Sequence, residues 1–285
     1  MLDYRALDAL ATVIETGSFE AAAARLGVTQ PAVSQRIRAL EERMGTVLVI
    51  RGAPCRATED GARLIRHLRE VALLEATLAP AEAPPVLRIA VNADSLATWV
   101  LPALAQVTGM RFDLVIDDQD HSAHWLHRGE VVAAITSDPG PVAGCDTVAL
   151  GRLRYVATAS PDFVARHFRA GLNRESLSDA PALQFNAKDR LQEDWAAMIC
   201  GGPVGLASHR IASTEGFVTA TLLGLGWGLN PEVLVRGHLA SGALERIGQA
   251  PIDVPLHWQS LRRLKAPLAP LSRAIRAAAR EVLLG

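Results

Sequence analysis

The chain has 285 residues, 49% hydrophobic and 21% charged, with a formal charge of −1. That composition excludes a disordered chain and leaves room for two or three domains, each with its own core. Near-neutral charge excludes a uniformly basic nucleic-acid binder, so any such activity must come from local charge placement.

From the N-terminus, Leu7, Leu10, Ala11 and Ile14 mark a first amphipathic helix. Ser18 stands where an N-cap belongs, and Phe19, Ala22, Ala23 and Leu26 give a second helix ended by Gly27. Thr29 then caps a third, with Pro31 in its first turn, where a missing N–H costs little. On that helix Val33, Ile37, Leu40 and Met44 form one apolar stripe, which turns Gln35 and Arg38 away from the core. The outward face has the chemistry to read a base edge: paired donor and acceptor on Gln35, a forked donor on Arg38, and short polar groups at Thr29, Gln30 and Ser34. An ordinary helical hairpin with a solvated face is the alternative for these residues taken alone. From Arg25 to Arg56 there are six arginines against two acids, a local charge of +4 suited to phosphates. The β-rich VLVIR and the GAP turn at 52–54 predict a two-stranded wing, with Arg51 placed for a minor groove or a phosphate.

The stretch ETGSFEAAAARLGVTQPAVSQRIRALEERMGTVLVIR with ATEDGARL resembles the winged helix-turn-helix of LysR-type transcriptional regulators. PCRAT in the wing and VNADSLATWVLPAL further on are similar to the ArgP/LysG branch, the arginine- and lysine-responsive activators of basic amino-acid exporters. Together the two resemblances cover nearly the whole chain. They imply a helix in the major groove with Ser18, Thr29, Gln30, Pro31, Ser34, Gln35, Arg38 and Arg51 at the DNA, a long helix pairing two subunits, and tetramers assembled through the downstream domains.

From Thr58 a helical pattern resumes, with Leu64, Val71 and Leu78 at seven-residue steps and Ile65, Leu68 and Leu74 widening the stripe. Such a stripe needs cover, either from a partner's helix or from the chain's own next domain. LAPAEAPP, 78–85, reads as a hinge. Beyond it strands and helices alternate: strand 87–91, helix 97–106, strand 112–116, helix 122–128 and strand 131–135. The alternation resumes with LQF at 183–185 and runs to a helix at 271–284. The expected architecture is α/β: a winged helix-turn-helix over 1–58, a linker over 59–85 and an effector domain over 86–285. By resemblance that domain has two lobes like a periplasmic binding protein, lobe I over 86–160 and 261–285 and lobe II over 161–260, with a ligand held between them at strand ends.

Candidate ligand residues lie at the strand-to-helix transitions. Ser95 and Thr98 fall near a helix N-terminus that suits an α-carboxylate, although Ser95 also suits a plain cap. Asp118, with Asp117 and Asp120, could meet a cationic group or stay solvated. Thr136 and Ser137, then Ser213, Thr214 and Glu215, occupy similar positions that would face the same cleft or simply cap helices, and Glu215 could hold an amino group. The segment DDQDHSAHWLHRGE departs from the branch, where glutamate is more usual. Its histidines 121, 124 and 127 advance about 300° per step on a helix and so do not share one ion; a solvated helix face is expected and no metal. Cys55, Cys145 and Cys200 lack zinc-ligand or redox-motif spacing, which together with the lack of a signal segment or an apolar span predicts a reduced cytoplasm. LGLGWG at 223–228 leads into a strand, against the geometry of a phosphate loop, and no cofactor is expected. No GxSxG, HExxH or carboxylate pair suggests an enzyme. The reading is a sequence-specific regulator controlled by a small effector, a basic amino acid by resemblance, acting on amino-acid export or metabolism genes. A different metabolite as effector, an α/β enzyme and a non-specific architectural protein are the alternatives.

Overall fold

The structure, a computed structural model, describes residues 2–76, 78, 84–116, 125–126 and 130–285. It divides into two compact units, Met1–Leu87 with Gly109–Arg111, and Arg88–Thr108 with Phe112–Gly285. The first contains α1 (Tyr4–Thr16), α2 (Phe19–Leu26), α3 (Gln30–Met44) and α4 (Glu59–Glu75), with a two-stranded wing, β1 (Val49–Ile50) against β2 (Arg56–Ala57). Each helix starts where its sequence supplies a cap. Asp3, Ser18, Thr29 and Thr58 accept backbone N–H bonds at the four N-termini, and Gly17, Gly27 and Gly45 end α1 to α3 in the left-handed conformation. The expected stripe on α3 is the core: Val33, Ile37 and Leu40 are buried against Leu7, Leu10 and Leu48, and Met44 and Val28 pack at its edge. Burying a side chain such as Ile37 contributes about 1.5–3 kcal/mol. Glu41 fixes the wing by accepting the backbone N–H groups of Leu48 (2.8 Å) and Val49 (3.3 Å).

The stripe on α4 divides. Leu64, Ile65 and Leu68 pack into the same core, whereas Leu74 is 41% and Leu78 86% exposed.

The second unit is built on a mixed sheet in the order β10-β6-β11-β5-β3-β4, with β9 also pairing β6. These strands are β3 (Val86–Val91), β4 (Arg111–Ile116), β5 (Ala133–Thr136), β6 (Cys145–Ala159), β9 (Gly228–Pro231), β10 (Glu245–Arg246) and β11 (Ile252–Leu261); β7 (Ala182–Gln184) and β8 (Ser208–Arg210) form a parallel pair beside them. β6 and β11 run antiparallel over ten register partners. Arg154 and Asp253 face one another on that ladder and make a bidentate ion pair, both contacts at 2.8 Å. The guanidinium holds the Asp253 carboxyl below its usual range. The first half of β6 pairs with β11, while its second half, from Tyr155, meets β9 and β10. One strand therefore ties both ends of the unit together.

The strands expected at 87–91, 112–116, 131–135 and 183–185 are present within one or two residues, as is the C-terminal helix at Ala269–Val282. β6 was not expected, because arginines and Gly151 interrupt its apolar run. Gly151 has φ +129°, and a Cβ there would stand 2.6 Å from the Leu284 carbonyl oxygen, so only glycine fits. Similarly, Gly226 and Gly228 of the glycine-rich segment are packing positions: a Cβ would meet the Pro181 oxygen at 2.7 Å and the Phe217 ring at 2.5 Å. No helix among the described residues is long and apolar enough to cross a membrane.

Candidate functional site

On α3 the sequence and the structure agree in detail. Gln30, Pro31, Gln35 and Arg38 are exposed and Ser34 is half-buried; Pro31, Gln35 and Arg38 lie on the face opposite Val33, Ile37 and Leu40, Ser34 lies at its side, and Gln30 is exposed as the first residue of the helix. Ser18 and Thr29 spend their hydroxyls on capping, accepting from Ala21 N at 3.0 Å and Ala32 N at 3.4 Å. Arg51 extends from the wing over the Phe19 ring, 5.1 Å from guanidinium to centroid, which restricts a long side chain to one direction. The face combines an exposed helix, a wing and a local excess of arginine, a combination that serves groove and phosphate contact together.

The second unit encloses a cavity of about 220 Å³ whose wall includes Asn92, Asp94, Tyr155, Phe185, Lys188, Asp189, Arg190, Gln192, Thr214 and Asn230. Its centre is Asp94. Tyr155 donates its phenolic hydrogen to Asp94 Oδ2 at 2.6 Å, and Thr214 donates to Oδ1 at 2.7 Å. Those partners come from 61 and 120 residues away, Tyr155 from β6 and Thr214 from the first turn of the helix Thr214–Leu222. Burial pushes the Asp94 pKa up, and the two hydroxyl bonds oppose that shift. The Tyr155 pKa is driven well above its ordinary value, first by burial and then by the adjacent carboxylate, so the phenol remains a donor. No cation among the described residues pairs with Asp94.

The floor of the cavity is fixed by Asn230, which donates to Thr158 Oγ1 at 2.9 Å and Thr221 Oγ1 at 3.2 Å. Thr221 gives its own hydrogen to the Phe217 carbonyl at 2.9 Å, so it can only accept from Asn230, and the amide orientation follows. Asp189 sets the loop above by accepting from Phe185 N at 2.8 Å and Leu191 N at 3.0 Å.

The expected ligand residues fall next to this site and mostly outside it. The helix after β3 begins at Ala93, earlier than expected, because Asn92 takes the N-cap position with an extended backbone. It continues through a π turn, Leu96–Val100, into Leu101–Ala105. Ser95 is thus already inside the helix, about 100° around from Asp94, and is fully buried away from the cavity wall. Thr98 is turned back on its own helix, donating to the Asp94 carbonyl at 2.6 Å. Thr136 is fully buried and accepts from Asp138 N at 3.1 Å. Ser213 caps its helix through Gly216 N at 3.1 Å, and Glu215 is exposed; the residue between them, Thr214, faces the cavity. Asp118, with Asp117, Asp120 and the histidines 121, 124 and 127, lies outside the described residues. Among the described residues no cluster suits a metal ion. Sequence reasoning named the transitions after β3 and β8, with Thr214 among the residues of the second, and did not single out Asp94 or Tyr155. Asp94 carried one usable signal: it is the only acidic residue in NADSLATW.

Comparison with known proteins joins the two sites. Residues 4–62 match the bacterial regulatory helix-turn-helix protein, lysR family, and residues 81–284 match the LysR substrate binding domain. The chain is 44% identical over 273 residues to the HTH-type transcriptional regulator ArgP of Pseudomonas fluorescens, covering 92% of each chain. It is 42% identical over 284 residues to LysG of Mycobacterium tuberculosis, covering 98% of this chain and 94% of the relative. Among solved structures it is similar to ArgP from Mycobacterium tuberculosis, with a TM-score of 0.86 at 41% identity, and to full-length LysG from Corynebacterium glutamicum with bound effector Arg, with a TM-score of 0.70 at 37% identity; both comparisons cover all of each chain. With both of its units matched and relatives this similar along nearly its full length, the chain belongs to the LysR family of transcriptional regulators.

Proposed function

We propose that this regulator binds a basic amino acid in the cavity around Asp94 and couples that binding to sequence-specific recognition of double-stranded DNA, acting on amino-acid export or metabolism genes. The observation that carries the reading is the Asp94 carboxylate itself. It is desolvated, and among the described residues it receives two neutral hydroxyl donors and pairs with no cation. A buried charge in that setting is costly until a cation joins it, and an ammonium or guanidinium group supplies one. Lys188 and Arg190 on the same wall supply positive charge for an α-carboxylate. The bound effector Arg of the Corynebacterium glutamicum relative supports the same chemistry.

At the DNA, Gln35 and Arg38 read base edges from the middle of α3, with Gln30 and Ser34 near its start, and Pro31 sets the entry of its first turn. Ser18 and Thr29 orient the two helices as caps, and Arg51 meets the backbone or minor groove from the wing. The exposed Leu74 on α4, with the exposed Leu78 beyond its end, favours a homodimer through this helix, with a homotetramer completed through the effector domains. A single species at monomer mass by light scattering at micromolar concentration removes that assembly.

A thermal-shift screen of amino acids tests the effector. A ligand at 100 times its Kd adds about 2.7 kcal/mol of stability, so arginine or lysine should raise the melting temperature while glutamate, leucine and phenylalanine leave it in place. Stabilisation by an acidic or aromatic amino acid in place of the basic ones contradicts the reading.

A further inference from the structure

The two hydroxyls on Asp94 come from separate elements, and each is committed to the carboxylate by a short bond. Tyr155 is 1% exposed on β6, the strand that ties both ends of the unit together, and its hydroxyl reaches Oδ2 at 2.6 Å. Thr214 is 7% exposed on the helix Thr214–Leu222 and reaches Oδ1 at 2.7 Å. A hydrogen bond donated to a carboxylate favours its charged form and fixes the plane in which its remaining lone pairs point. With one hydroxyl on each oxygen, each oxygen keeps further acceptor capacity. Burial acts against the charge, and the two donors act for it.

We propose that Tyr155 and Thr214 are positioning residues for the effector: their hydroxyls hold Asp94 as an oriented carboxylate, and thereby make the cavity selective for a cationic group. The proposal rests on the basic amino-acid reading above and assigns the groups that make Asp94 competent for it. It also carries a pH dependence. Protonated Asp94 has no charge to offer, so affinity for a cationic ligand falls as pH falls through the carboxyl pKa of the free protein. Losing either hydroxyl raises that pKa and moves the fall to higher pH. The other charged side chains facing the cavity among the described residues are Lys188, Asp189, Arg190 and Asp194. Asp189 is held by two backbone N–H groups, and Arg190 lies 3.7 Å from Asp194 and 3.9 Å from Glu193. None of these replaces the hydroxyls on Asp94.

The test is calorimetric titration of the full chain with arginine from pH 5 to 8.5, in wild type, Tyr155→Phe, Thr214→Val and Thr214→Ser. One hydrogen bond to a charged group accounts for roughly ten- to hundredfold in the ionisation equilibrium, about one to two pH units. In Tyr155→Phe and Thr214→Val the acidic limb should therefore move up by about a pH unit or more, with affinity recovering at the alkaline end. Thr214→Ser should restore the wild-type profile. A loss of the same factor at every pH, or profiles that coincide with wild type, overturns the proposal and leaves the basic amino-acid reading standing. If wild type binds neither arginine nor lysine at any pH, that reading fails, and carboxyl carbon NMR of the ligand-free proteins decides the hydroxyl pair. A higher Asp94 titration midpoint in Tyr155→Phe supports the pair, and an unmoved midpoint overturns it.

Discussion

On α3 the candidate contact groups stand outside: Gln35 and Arg38 are exposed, and each owes its direction to the apolar residues behind it on the same helix. In the cavity the reverse holds. Asp94 is enclosed, and its direction comes from Tyr155 and Thr214, supplied by a distant strand and a distant helix. The first arrangement makes function depend on one helix keeping its phase, which local caps and a single stripe secure. The second makes function depend on three elements meeting, so the site is sensitive to the fold of the whole unit. The LysR family joins the two in one chain, and the contrast separates what each substitution should do.

The largest expected effect is at the enclosed site. Asp94→Asn removes one partner of a buried charge pair in the liganded protein, which typically costs about 2–5 kcal/mol of affinity, and calorimetry with arginine measures it. The same substitution should not lower the melting temperature of the ligand-free protein at neutral pH. The sign follows from linkage. The Asp94 pKa is raised on folding, so the folded chain holds the proton more tightly than the unfolded one, and stability falls as pH rises from the unfolded value through the folded one. Above that window the charge opposes folding, and asparagine relieves it. A melting temperature that drops sharply in Asp94→Asn would show that the carboxylate is structural.

Next come the exposed groups. Gln35→Ala and Arg38→Ala should each weaken specific DNA binding by about 1–3 kcal/mol per lost base contact, measured on operator and scrambled duplexes. Equal losses on both duplexes would move the base contacts to Gln30 and Ser34. Thr29→Ala removes the cap of α3 and should lower stability by about 1 kcal/mol, with a matching loss of operator affinity if the helix start is what presents Gln30 and Ser34. Smallest is Arg51→Ala, which should weaken all duplexes alike and flatten the salt dependence by about one unit of slope. A loss confined to the operator would instead make Arg51 a base reader.

The same contrast explains what could be read from the sequence. The helix-turn-helix was legible residue by residue, because caps, glycine stops and the Val33, Ile37 and Leu40 stripe are all encoded within a few positions of the groups they orient. The effector unit was legible as an α/β alternation, and the transitions after β3 and β8 that border the cavity were among those named. Within them, singling out Asp94 over Ser95 requires knowing that the helix starts at Ala93, and separating Thr214 from the neighbouring Ser213 and Glu215 requires knowing that Asp94 lies opposite. β6, which supplies Tyr155, was hidden by its arginines and by Gly151. Its polarity makes sense only with the partner strand in view, where Arg154 meets Asp253. Local signals decide local structure, and a cavity assembled over 120 residues of separation has few.

Calorimetric titration with arginine and with citrulline, a neutral molecule of nearly the same shape, reads whether the enclosed carboxylate recognises a positive charge. Arginine should bind at least about thirtyfold more tightly, the equivalent of about 2 kcal/mol, and Asp94→Asn should erase the difference. Equal affinity for the two ligands in the wild-type protein would contradict that recognition.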